Sequence, residues 1–245
     1  MPTHIFPVYH PSVPSKELIA KKVREQSDEL EILTYLNNLQ PNSEHIISLH
    51  ASFQTQSTSW IILPRMDSIK DYVSFAPTQL YGKFAKICWG FIKGVAYLHK
   101  LRIAHRDIKP ANILLDRRDL CVKIIDFDLA IQVEDEDEEV NDQCGSKHWM
   151  APEVEKNSMY SPIKADRWSS GQVLLYLFRE LENEDKYLRS IAEKLTTLSP
   201  NRRLSMLEIA PPVSDVAGDR KVLRSLQDIV EGDKENANPP KKQRR

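Results

Sequence analysis

Glycine is scarce in this chain. There are seven in 245 residues and the first is Gly82, so the opening third holds no segment in which bare backbone could wrap closely around a phosphate group. Cysteine is scarcer: Cys88, Cys121 and Cys144 are odd in number and lack metal-ligand spacing. That pattern excludes a disulfide framework and a cysteine-built metal site, and it suits reduced thiols in the cytosol or nucleus. Long apolar runs are missing as well. The longest, Val173 to Phe178, is too short to cross a bilayer, and the first residues, with Pro2, Pro7, Pro11 and Pro14, form neither a signal peptide nor a membrane anchor. Nor is there a dominant charge: a formal net charge of -1 gives no overall attraction to nucleic acid.

What is present is enough apolar material, 41% of the residues, for a substantial core. From Ser27 to Leu39, apolar residues at 30, 32, 33, 36 and 39 make a helical stripe, with Ser27 as N-cap and Glu29 and Glu31 in the first turn. Ile46 to Phe53 and Ser59 to Leu63 are rich in β-branched and aromatic residues and flank the polar Gln54 to Thr58, which predicts a hairpin. Phe84, Ile87, Cys88, Phe91, Val95 and Leu98 recur at spacings of three and four and predict one long buried helix over 80–100. No internal repeat is visible. Beyond about residue 210 come Pro211-Pro212, a short amphipathic stretch from Val222 to Val230 and a polar end.

The chemistry is concentrated in His105-Arg106-Asp107-Ile108-Lys109-Pro110-Ala111-Asn112, followed by Asp126-Phe127. Further on stand Ala151-Pro152-Glu153, Asp166-Arg167-Trp168-Ser169-Ser170-Gly171 and Pro200-Asn201-Arg202-Arg203-Leu204-Ser205. In this order the fragments resemble the catalytic domain of eukaryotic-type serine/threonine protein kinases, with Lys109 in the position that marks the serine/threonine class. The resemblance implies an α+β, bilobal fold: a small, mostly antiparallel β N-lobe with one helix, and a larger, mainly helical C-lobe. It divides the chain into a kinase domain over 1–209, with N-lobe and hinge in 1–66 and C-lobe in 67–209, and a largely disordered tail over 210–245.

The same resemblance implies a site for ATP and Mg2+ and a protein substrate. Asp107 is the expected base, Lys109 the residue that steadies the transferred phosphoryl, and Asn112 and Asp126 the metal ligands. Ile19-Ala20-Lys21-Lys22-Val23 resembles the V-A-I-K strand, and matching its Ala puts the phosphate-pairing lysine at Lys22, with Lys21 as the fallback. Glu29 is its expected helical partner. Adenine would meet the carbonyl of Pro64 and the backbone of Met66, between a roof of Val8 and Ala20 and a floor of Leu114, with Leu63 as gatekeeper. Leu33, Leu49, His105 and Phe127 would stack above an anchoring Asp166, and Glu153 would pair with Arg203. A monomer is expected, cytoplasmic or nuclear, without nucleic acid or membrane.

Four departures from the family pattern matter. No glycine-rich loop precedes the lysines, and Val8-Tyr9-His10 resembles the strand that follows that loop, so the chain begins inside the loop's position. Asp128 stands where the third residue of D-F-G is glycine, which predicts a less mobile Asp126-Phe127 pair. Between Phe127 and Gly145 there is no Ser, Thr or Tyr to phosphorylate; instead, Glu134 to Glu139 are six consecutive acids, which read as a solvated, mobile loop or, in a sharper alternative, as the source of one carboxylate that pairs with Arg106 in place of a phosphate. The short interval from Asp166 to Arg203 leaves no room for helix G. These features keep open a pseudokinase that binds nucleotide or scaffolds a partner. In the tail, Lys241-Lys242-Gln243-Arg244-Arg245 resembles a basic nuclear-import signal and Lys234-Glu235-Asn236 a K-E-N degron.

Overall fold

Thr58–Pro64, with Trp60, Ile61 and Ile62 in a row, is the strand around which the small sheet forms. The computed structural model describes residues 5–8, 17–55, 58–156 and 158–210; Tyr9, His10, the Val222 to Val230 stretch, the K-E-N motif and the basic end lie outside the described residues. In chain order the elements are β1 (Ile5–Val8), β2 (Leu18–Lys22), α1 (Glu29–Asn38), β3 (Ala51–Thr55), β4 (Thr58–Pro64), β5 (Asp67–Ser68), α2 (Ile69–Phe75), α3 (Thr78–Tyr81) and α4 (Phe84–Lys100). They continue with β6 (Ile103–Ala104), β7 (Ile113–Leu115), β8 (Val122–Ile124), β9 (Ile131–Gln132), α5 (Pro152–Glu155), α6 (Pro162–Glu180), α7 (Lys186–Leu195) and α8 (Met206–Ile209). The small lobe is the antiparallel sheet β1-β2-β4-β3 with α1. Pro7 is tolerated because β1 is an edge strand, where a missing N–H breaks no ladder.

The large lobe is built on α4, whose apolar stripe is buried along its length. The helix predicted over 80–100 is divided in two, since Gly82 and Lys83 separate α3 from α4. The predicted hairpin also starts later than its sequence suggests. Ile46 and Ile47 are apolar because they sink into the large lobe, where Ile47 donates to the Ile124 carbonyl at 3.1 Å and Ile124 to that of His45 at 2.8 Å. The strand itself begins at Ala51. In α1 the N-cap is Asp28, although Ser27 Oγ still accepts from the Glu29 amide at 3.2 Å.

Helix α6 starts cleanly, with Ser161 as a side-chain N-cap and Pro162 in the first turn. It crosses α7 at Gly171, where a Cβ would lie 2.7 Å from the Thr196 side chain and 2.9 Å from the Ala192 carbonyl. Only a bare Cα allows that approach. Between α6 and the turn that carries Arg203, α7 is the one helix among the described residues.

Candidate active site

Two short strands and a buried carboxylate aim the catalytic loop. Asp166, on the first turns of α6, is 1% exposed, and its two oxygens accept the amides of His105 at 2.6 Å and Arg106 at 2.9 Å. A buried charge that accepts two backbone N–H groups over a sequence gap this wide fixes the loop it binds. Arg106 is left in the left-handed region at φ 65°. The His105 ring lies 5.1 Å from that of Phe127, which is fully buried, and its Nε2 meets the Ile125 carbonyl at 2.8 Å. Of the four side chains assigned to a stack, His105 and Phe127 meet ring to ring, Leu33 is buried in the same core as Phe127, and Leu49 packs against that core.

Asp107 follows directly. Its Oδ2 receives Lys109 Nζ at 2.6 Å and Asn112 Nδ2 at 3.1 Å, while Oδ1 is buried without a hydrogen-bond partner among the described residues. Lys109 also donates to Ser146 Oγ at 2.7 Å, which ties the catalytic loop to the segment after Gly145. That glycine has φ 114°, and a Cβ there would stand 2.9 Å from the Arg106 carbonyl, so the crossing requires its absence. The β7–β8 hairpin brings Asn112 and Asp126 together: Ile113 pairs with Ile124, and the Ile125 amide donates to the Asn112 carbonyl at 3.1 Å. Asp126 has φ 69°, a left-handed conformation that turns its carboxylate out of the strand line.

From the small lobe comes Lys21. Its Nζ lies 2.7 and 2.8 Å from the Glu29 oxygens, 2.5 Å from Asp126 Oδ1 and 3.4 Å from Asp128 Oδ2. Glu29 is fully buried and its Oε1 also accepts the Phe127 amide at 3.2 Å. Burial works to lower the Lys21 pKa, but the carboxylates of Glu29 and Asp126 override it and hold the ammonium well above its usual range. For Asp126, burial works upward and is outweighed by Lys21, leaving the carboxyl below its ordinary value. Glu29 goes the other way: burial pushes it up to about 7 against the attraction of Lys21. Glu29 and Asp126 share one ammonium, and the more buried of the two is the one whose pKa is raised.

The lysine of this site is therefore Lys21, and Lys22 is corrected. Side chains alternate along a strand, and a shift of one residue exchanges the faces. Ile19 and Lys21 pair with Leu63 and Ile61, facing the core and α1; Leu18, Ala20 and Lys22 pair with Pro64, Ile62 and Trp60 on the opposite face. Val8, opposite Leu18, packs with Leu18, Ala20 and Ile62 on that same outer face. Matching the motif by its alanine moved the register by one, so Val8 and Ala20 fail as a roof for the same reason that Lys22 fails as the cation. Pro7 and Ile19 share the face of Lys21 instead. Leu114 is 8% exposed on β7, and Pro64 and Met66 flank the passage from β4 to β5.

The acidic block is also placed differently. Arg106 pairs with Asp142, which lies outside the six-acid run, and not with any residue from Glu134 to Glu139. Tyr160 closes the arrangement, donating its hydroxyl to the Asp142 carbonyl at 2.9 Å. Within the run, Glu136 pairs with Arg167 and Asp137 with Lys164, both at the start of α6. No feature of the sequence ranks Asp142 above its acidic neighbours, because the choice depends on where the segment folds back against Arg106. Asp128 is a second contact that the sequence does not announce: besides Lys21, it accepts from Ser27 Oγ at 3.4 Å. Glu153 and Arg203 form the expected pair, bidentate at 2.5 and 2.8 Å, with the Arg203 guanidinium 5.1 Å over the Trp168 ring.

The donor set suits the groups that the kinase resemblance implies. Asn112 and Asp126 offer hard oxygen ligands of the kind Mg2+ prefers, and Asp107 Oδ1 has no hydrogen-bond partner among the described residues. A family model for the protein kinase domain matches residues 12–182, and the chain belongs to the protein kinase family as a eukaryotic-type serine/threonine kinase catalytic domain. Among its relatives, the serine/threonine-protein kinase CST20 of Candida albicans is 32% identical over 177 residues, 71% of this chain and 13% of that protein. The serine/threonine-protein kinase pakG of Dictyostelium discoideum is 31% identical over 201 residues, 80% of this chain and 16% of that protein. For ppk11 of Schizosaccharomyces pombe the figures are 36% over 166 residues, 65% and 53%. The chain thus spans a small part to about half of the length of these curated relatives.

Proposed function

We propose that the chain transfers the γ-phosphoryl group of ATP to a Ser or Thr hydroxyl of a protein. The observation that carries this reading is Asp107: one oxygen is fixed by Lys109 and Asn112, and the other is buried and unpartnered. In that position it takes the proton of the attacking hydroxyl, while Lys109, linked to Ser146, steadies the group in transfer. Asn112 and Asp126 would hold Mg2+, which when bound neutralises charge on the phosphates. Lys21, held by Glu29, orients the α- and β-phosphates; Ile19 and Pro7 cover the nucleotide, Leu114 lies beneath it, and the backbone of Pro64 and Met66 meets adenine. Catalysis of this kind is positioning and electrostatic complementarity more than covalent chemistry. The basic end, Lys241 to Arg245, supports a nuclear as well as a cytoplasmic location.

The decisive assay is Mg2+-dependent ATP turnover on a generic basic protein, comparing the native chain with Asp107→Asn. Turnover that disappears in the variant supports the kinase. A rise in melting temperature on adding ATP with no turnover in either chain supports the nucleotide-binding scaffold instead.

A further inference from the structure

A sizeable groove among the described residues is remote from this chemistry. It encloses about 510 Å³ between the connection that leaves α1, the second half of α4, and α8, a size ordinary for a binding pocket. Leu39, Ala96, Leu101 and Leu207 supply apolar wall, and Lys93 and Lys100 stand at its edge. These lysines are seven residues apart on α4, two turns along one face. The one carboxylate in the lining, Glu44, is exposed and lies 3.5 Å from His45 Nε2. No residue assigned to catalysis or to nucleotide contributes to it.

Ala210, the last described residue before 211–245, is itself part of the wall. The chain therefore leaves the described fold at the groove. After eleven intervening residues the sequence supplies Val222, Leu223, Leu226, Ile229 and Val230, apolar positions at helical spacing, accompanied and followed by Asp228, Glu231 and Asp233. A linker of that length reaches every part of the groove, and so short a tether gives an effective concentration of the order of millimolar, enough for a modest contact to persist.

We propose that residues 222–233 of this same chain occupy the groove, with the apolar stripe on Leu39, Ala96, Leu101 and Leu207 and the acids against Lys93 and Lys100. The occupant is chosen by the point of exit, the tether length and the match of charge. One wall of the groove, from Leu39 to His45, is the segment that leads out of α1, the helix that carries Glu29, so a seated tail braces the small lobe from behind.

The test uses the full chain and does not depend on kinase activity. An equal mixture of 14N- and 15N-labelled chains is treated with a carbodiimide, which joins a lysine amine to a carboxylate as an amide with loss of water, and the linked peptides are read by mass spectrometry. The expected links run from Lys93 or Lys100 to Asp228, Glu231 or Asp233, within chains of one isotope. Leu226→Asp with Ile229→Asp, outside the described fold, should lower their yield by about tenfold or more. Mixed 14N/15N links making up about half of the total, the share that random pairing between chains gives, would assign the groove to a second copy and overturn the proposal. It is overturned equally by the absence of these links, or by a yield that the double variant leaves unchanged.

Discussion

The two lobes hold their shares of the site in different ways. In the large lobe, Asp107 is aimed by backbone: Asp166 binds the amides of the two residues before it, and a hairpin ladder fixes Asn112 beside Asp126. In the small lobe, β1 and β3 are largely exposed and the contribution passes through one side chain, Lys21, gripped by carboxylates from α1 and from the start of the activation segment. Backbone-held groups survive loss of any one side chain beyond Asp166. The small lobe has no such redundancy.

The sharpest way to break this contrast is at Asp107. Asp107→Asn should lower kcat by about 10²–10⁴ with a much smaller loss of stability, since Asn keeps an oxygen for Asn112 and gives up only the ion pair with Lys109; a loss of activity accounted for wholly by unfolding would mean that the carboxylate is structural. Next in size is the large lobe's own anchor. Arg203 is 3% exposed and Glu153 is its partner, so Arg203→Ala should cost roughly 3–5 kcal/mol in denaturant unfolding, with Glu153→Ala similar and the double variant less than additive.

Lys21→Met addresses the small lobe alone and should reduce turnover by about 10²–10³. Lys22→Met, one residue along and on the other face, should change it no more than about twofold. Equal losses at both positions would undo the assignment of faces. The smallest effect is one of pH. Burial has moved Glu29 from 4.5 to about 7, so between those values the folded chain keeps a proton that the unfolded chain releases. Stability from this group therefore falls as pH rises from 4.5 to 7 and is level above it. Thermal melts of the native chain relative to Glu29→Gln should show that decline; a level profile across the same interval, with the change confined to pH below 4.5, would mean that attraction to Lys21 outweighs burial.

The large lobe was legible because its chemistry sits in contiguous runs. His105 to Asn112 form one continuous loop that resembles the kinase pattern directly, and the structure brings Asp126 to it through the β7–β8 hairpin and Asp166 through hydrogen bonds across some sixty residues. The hairpin start at Ala51, the break at Gly82 and the faces of β2 were less accessible, since each depends on what packs against the segment. Two adjacent lysines, Lys21 and Lys22, differ by nothing but the side of the sheet they stand on. Arg106 found Asp142 for a similar reason: with six acids in a row nearby, charge alone does not choose a partner, and the path of the chain does.

Helix α6 carries Asp166 near its start and Gly171 five residues later, about 7.5 Å along its axis. The first grips the loop of the base; the second lets α7 seat at close range, ahead of the turn bearing Arg203, which in turn clamps Glu153. One rod therefore acts as a ruler between the Asp107 loop and the Glu153 end of the activation segment. Both would travel with it as a single rigid jaw, so opening and closing of the cleft would fall to the small lobe.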